Sequence, residues 1–168
     1  MAPRLTTHVI TEKLARQRFN DLLDAENALG SRHPKGRSLY QVVCRGGEWV
    51  GLLLWTGALW HLKARDLHLG WDPQIRSERL QLIAHQARFL VPEQAREPNL
   101  ASACLGASVR DLPVQWEECF GCALALIRTG LQALLRRHVK EPLPVIFENV
   151  ADDLDLALTW LKQRNFRL

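Results

Sequence analysis

The feature that most restricts the fold is a pair of apolar runs, Leu39 to Arg45 and Trp49 to Trp55, separated by Gly46-Gly47. Both runs are rich in valine, leucine and aromatic side chains, which fit a pleated, buried surface. Two adjacent glycines take the positive φ values that a two-residue hairpin turn demands. The spacing predicts an antiparallel hairpin. A third strand from Ala58 to Leu62 extends it into a meander, because short connections favour antiparallel neighbours.

Helical signals flank this core. Thr11 is the expected cap of a helix in which Leu14, Phe19, Leu22 and Leu23 recur at helical spacing, and Gly30 opens a basic loop ending at Gly36. Asp72-Pro73 joins a cap oxygen to a proline that misses no N–H at the first helical position, which predicts a helix over 73–85. Arg88 to Val91 reads as a buried strand, 92–98 as a loop, and Asn99 as the cap of a helix through Cys104 and Asp111. Asp111-Leu112-Pro113 reads as the start of another helix, closed by Gly121, with a strand over 123–127. Beyond Arg128 the pattern gives a helix over 131–139, a strand over 145–147 and a last helix capped by Asn149 or Asp152. The alternation predicts one α/β domain with a mixed, mostly antiparallel sheet flanked by helices.

The 168 residues suffice for a core of this kind, and the formal charge of +4 is compatible with polyanions without requiring them. The run from Trp49 to Leu62 is too short for a membrane span, and four scattered cysteines do not suggest a secreted disulfide scaffold. With no apolar leader after Met1, a cytoplasmic setting is expected.

Cys119-Phe120-Gly121-Cys122 has the spacing of half a zinc ribbon or of a redox dithiol, but each reading lacks its other half. Two partly buried thiols at a turn is the simpler reading, and no metal site is expected. His61 and His68, with Asp66 between them, fall on opposite faces of an extended strand, which disfavours a metal triad. His85, Gln86 and Arg88 stand at the entrance to the buried strand. Pro98-Asn99-Leu100-Ala101-Ser102 opens a helix after a strand, where free N–H groups and small residues suit a phosphate or carboxylate. Arg88, Arg96, Asn99, Leu100, Ala101 and Ser102 are therefore the ligand-binding candidates. Arg136, Arg137 and Lys140 form a basic cluster late in a helix and are the nucleic-acid-binding candidates. The six tryptophans, mostly within apolar runs, favour core roles over base stacking. No residue set identifies a catalytic group.

Several strings resemble, in order, the DruA family, an anti-phage Druantia component whose relatives accompany bacterial transposable elements. They are Gly36-Arg-Ser-Leu39, Gly47-Glu-Trp-Val-Gly-Leu-Leu53, Lys63-Ala-Arg-Asp66, Gly70-Trp71, Ala87-Arg-Phe-Leu-Val91, Pro98-Asn-Leu-Ala-Ser102, and Leu112-Pro-Val-Gln-Trp116 with Phe120-Gly121. The strings define a DruA-like region over 1–128, best matched over 36–121, followed by a divergent segment over 129–168. Glu26-Asn27 stands where the family tends to carry a His-His pair. The resemblance implies a mobile-element or defence setting, work near nucleic acid, and a partner that is DNA or a transposase- or helicase-type protein. No cofactor is implied. Two alternatives stand beside it. The strand-loop-helix-strand succession is similar to the GNAT acyltransferase architecture, which would make acetyl-CoA the ligand of the Asn99 helix end with Arg96 as countercharge. The other is an inactive remnant whose segment after Arg128 is replaced or frameshifted.

Overall fold

The computed structural model describes residues 4–33, 35–58, 70 and 72–128. Its elements are β1 (Thr6–Val9), α1 (Lys13–Glu26), β2 (Ser38–Arg45), β3 (Glu48–Gly57), α2 (Pro73–Arg79), β4 (Ile83–Leu90), α3 (Leu100–Phe120) and β5 (Leu126–Arg128). The chain divides into two compact units, one of residues 1–57 and 82–129, the other of residues 58–81 and 130–168.

The first unit holds a five-stranded sheet in the order β1-β2-β3-β4-β5. The first four strands are antiparallel, and β5 returns parallel to β4 after the α3 crossover. The expected mixed, mostly antiparallel α/β arrangement is therefore present. The hairpin turns at Gly46 and Gly47, with φ of 61° and 88°, and its last pair is Arg45 opposite Glu48.

Each sheet face is buried under a helix. Phe19 and Leu23 of α1 pack with Tyr40, Val42, Leu52 and Leu54 on one face. Fully burying each such side chain is worth roughly 1.5–3 kcal/mol. On the other face α3 buries Leu100, Cys104, Leu105, Ser108, Leu112 and Trp116, a stripe at helical spacing. Helix and sheet approach closely at Gly51, where a Cβ would lie 3.0 Å from the Cys104 sulfur and 3.1 Å from its Cβ. Gln41, on this face, is fully buried and satisfied. Its Oε1 accepts from Trp55 Nε1 at 3.0 Å and from the Ser108 hydroxyl, and its Nε2 donates to Gln115 Oε1 at 2.6 Å. Gln115 in turn donates to the Thr7 hydroxyl, which donates to Asp111 Oδ2 at 2.7 Å, tying β1 to α3.

Several boundaries differ from the sequence reading. The helix after Asp72 ends at Arg79, and Ile83 to Gln86 belong to β4, because pairing with Trp55, Thr56 and Gly57 overrides a helical periodicity that is only local. The Asp72 cap itself is as expected, its carboxylate accepting from the N–H groups of Gln74 and Ile75. Glu12, not Thr11, occupies the cap position of α1, and its side chain makes no capping bond. Asn99 precedes α3 in the left-handed region at φ 65° and its side chain makes no capping bond, because side-chain capping requires extended backbone there. The restart expected at Asp111 is absent. α3 runs continuously through Pro113, sustained by burial of Leu112 and Trp116 on either side. β5 is shorter than the strand expected over 123–127. β1 was not expected from the sequence, although Thr6-Thr7-His8-Val9 carries the β-branched residues of a strand. The elements expected beyond residue 128, residues 59–62 of the strand expected over 58–62, and His61, Asp66 and His68 lie outside the described residues. No helix among the described residues is long and apolar enough to cross a membrane.

Candidate functional site

One cleft, of about 900 Å³, opens between α1, the turn end of the β2–β3 hairpin and the β4–α3 connection. Leu14, Leu22 and Val50 give it apolar walls, and Arg18, Asp21, Arg45 and Glu48 give it charge of both signs. Leu14 is 80% exposed, so the apolar wall reaches the surface.

A bulge places the central aromatic. Val43 pairs with Gly51 but Cys44 pairs with Trp49, leaving Val50 as the extra residue on β3. An inserted residue switches every side chain beyond it to the opposite face of the strand. Trp49 is thereby turned onto the α1 face, against the cluster of Tyr40, Val42 and Cys44. The Arg18 guanidinium of α1 lies 4.3 Å from the centroid of the Trp49 ring. This is a cation–π stack, with the aromatic ring beneath an exposed arginine.

Arg45 is held differently. It makes a bidentate pair with Glu97 at 2.5 and 3.1 Å, which holds the Glu97 carboxyl below its usual range and raises Arg45. Burial pushes the Cys44 thiol up, opposed by the charge of Arg18. Cys104 is pushed up to about 11, chiefly by burial, so both residues are thiols at neutral pH.

The ligand-binding candidates divide. Arg88 reaches back to the loop after α1, its guanidinium donating to the carbonyls of Gly30 at 2.7 Å, Leu29 at 3.3 Å, Arg32 and its own neighbour Ala87. It clamps that loop. Arg96 donates to the Val91 carbonyl at 3.3 Å and lies 3.8 Å from Glu26. Leu100 is buried, Ala101 is half-buried, and Asn99 and Ser102 are exposed. From the same junction Pro92, Gln94 and Ala95 do line the cleft. Arg136, Arg137 and Lys140 lie outside the described residues.

The two cysteines of the CxxC string flank the end of α3. Cys119 is exposed on the last turn, and burial of its sulfur followed by the Glu118 carboxylate pushes its thiol up. Gly121 closes the helix at φ 66°, and Cys122 beyond it accepts a hydrogen bond from Arg37 Nη1 at 2.9 Å. Among the described residues no group of three or more His, Cys, Asp or Glu side chains is arranged to hold a metal.

Four antiparallel strands, a crossover helix and a parallel fifth strand define a mixed α/β protein with helices on both faces. The chain belongs to the DruA family: the family model described as Druantia protein DruA matches residues 1–138. A search of curated proteins finds no match. Among solved structures, the chain is similar to a Pyrococcus furiosus protein described as an acetyl transferase, at 13% identity and a TM-score of 0.44, covering 98% of this chain and 94% of that one. It is also similar to an aminoglycoside acetyltransferase from an uncultured soil metagenomic sample, at 11% identity and a TM-score of 0.41, covering 98% and 93%.

Sequence reasoning missed the cleft because its centre depends on a bulge, which leaves no signature in a run of apolar residues. The recurrence of Leu14, Arg18 and Leu22 on one helical face was the available signal.

Proposed function

We propose that this DruA-family chain works in anti-phage defence or in a mobile element by engaging nucleic acid, beside a DNA-processing partner, and that the cleft receives a base of a single strand. The observation that carries this reading is the Arg18–Trp49 stack. A guanidinium lying on an indole offers its outer plane to a nucleobase, and stacking of this kind is tolerant of sequence. Asp21 and Glu48 offset Arg18 and Arg45 within the cleft, so attraction to phosphate falls to Lys13 and Arg16, exposed near the start of α1. Basic residues at that end are unfavourable to the helix dipole, which makes an anionic partner the natural complement. The expected footprint is a short single-stranded segment.

Titration of the full chain with oligo-dT at low salt tests this. Tryptophan emission should be quenched, the affinity should fall steeply with added salt, and Arg18→Ala or Trp49→Leu should weaken binding by about tenfold, the range expected for one stacked base. Arg136→Ala measures the contribution of the basic cluster read from the sequence. Unchanged emission at low salt, or binding indifferent to both cleft substitutions, rules the reading out.

The acyltransferase alternative has less support. The β4–α3 connection places Glu97 just before the helix start and contains no glycine to let a pyrophosphate approach the backbone. A rise in melting temperature with millimolar acetyl-CoA would restore it.

A further inference from the structure

The Cys119–Cys122 pair has no part in the cleft, and its surroundings suit a different chemistry. Of the two, Cys122 is the one with a guanidinium on its sulfur. The 2.9 Å hydrogen bond from Arg37 puts a permanent positive charge against its sulfur, where it stabilises negative charge that develops as the sulfur attacks. Arg37 is itself held in place. Its carbonyl accepts from the Gly57 N–H at 3.0 Å, and its guanidinium lies 5.7 Å from the centroid of the Phe120 ring, between the two cysteines in sequence. Cys119 is exposed, Cys122 is half-buried, and neither sulfur is enclosed in the core as those of Cys44 and Cys104 are. The left-handed backbone at Gly121 turns the chain sharply between them. Cys119 and Cys122 keep the two-residue spacing of a redox dithiol.

We propose that Cys119 and Cys122 form a peroxide-reactive dithiol, with Cys122 as the attacking sulfur, Cys119 as the resolving thiol and Arg37 as the residue that activates the attack. The Cys122 sulfur attacks one oxygen of hydrogen peroxide, the O–O bond breaks, and the departing hydroxide takes up the thiol proton to leave as water. Cys122 is then a sulfenic acid. The sulfur of Cys119 displaces its oxygen, the S–O bond breaks, a second water leaves with the Cys119 proton, and a disulfide joins the two residues. Two thiols are oxidised by two electrons and one peroxide is reduced. The disulfide closes a small ring at the junction of α3 with the segment leading to β5, which is tied to the sheet edge by the Ala125 N–H bonded to the Leu82 carbonyl. Oxidation therefore acts on the crossover that sets α3 against the sheet.

The test is exposure of the reduced full-length chain to equimolar hydrogen peroxide, followed by alkylation and mass spectrometry of the peptide spanning 111–128. The expected product has lost two hydrogens, with both cysteines protected from alkylation and Cys44 and Cys104 unoxidised. In Cys119→Ser, dimedone should trap a sulfenic acid on Cys122. Arg37→Gln should slow oxidation by about tenfold, the worth of one hydrogen bond to a charged group. Circular dichroism of this variant checks that it is folded, and Arg37→Lys, which keeps the charge, should recover part of the rate. Dimedone labelling of Cys119 in preference to Cys122, absence of the disulfide, or an unchanged rate in folded Arg37→Gln overturns the proposal.

Discussion

Glutamine at position 41 illustrates how a single side chain sets the packing of a layer. It is fully buried in the middle of β2, where an apolar residue would be the default, and an unbonded amide there would be costly. Instead its oxygen and nitrogen join Trp55 of β3 to Ser108 and Gln115 of α3, so the helix has one satisfied position on the sheet. Gln41→Leu should therefore destabilise the protein by about 1–3 kcal/mol in urea unfolding, because the partners lose bonds that water cannot replace. In a double-mutant cycle with Ser108→Ala the combined cost should be smaller than the sum, since the two residues share one network. Strict additivity would mean that Gln41 acts by volume alone. This residue was invisible to pattern reading: a glutamine between Tyr40 and Val42 looks like the solvent side of a half-exposed strand. It is the second helix layer, far away in sequence, that makes the site polar and enclosed.

At the scale of elements, local signals predicted what local chemistry controls and failed where distant pairing decided. The hairpin was legible because Gly46-Gly47 and two apolar runs suffice to define it, and the start of α2 because Asp72-Pro73 contains its own cap. The end of α2 was not legible, since Ile83 to Gln86 are claimed by β3 through hydrogen bonds that no window of sequence contains. The Arg18–Trp49 stack was hidden for a related reason, the bulge at Val50. Pro113 misled in the opposite direction. A proline normally ends or begins a helix, yet here it sits within α3, where it removes one backbone hydrogen bond and crowds the preceding turn. Buried contacts of Leu112 and Trp116 hold the helix together across it. Pro113→Ala should consequently raise stability by about 1–3 kcal/mol, read as an increased denaturation midpoint with an unchanged slope. A loss of stability would show instead that the proline's shape is needed where α3 meets the sheet.

At the scale of the molecule, the packing of α3 against the sheet couples stability to pH through two of its residues. Asp111 carries the acid side. The Arg110 hydrogen bond, then that of Thr7, hold its carboxyl below the usual range, so its contribution is present above the unfolded pKa of about 4 and is lost as pH falls through the lower folded value. Cys104 carries the alkaline side with the opposite sign. Its thiol is pushed up to about 11 by burial, so above the ordinary thiol range the unfolded chain releases a proton that the folded chain retains. The contribution of Cys104 is complete below that range and is lost as pH rises toward the folded value. The loss should be on the order of 2 kcal/mol across this interval. Comparison of wild type with Cys104→Ala isolates it from every other group in the chain. The variant begins less stable, because it leaves a cavity against Gly51, but its alkaline decline should be shallower by that amount. Parallel declines in the two proteins would mean that water reaches the sulfur and that α3 does not seal this face of the sheet.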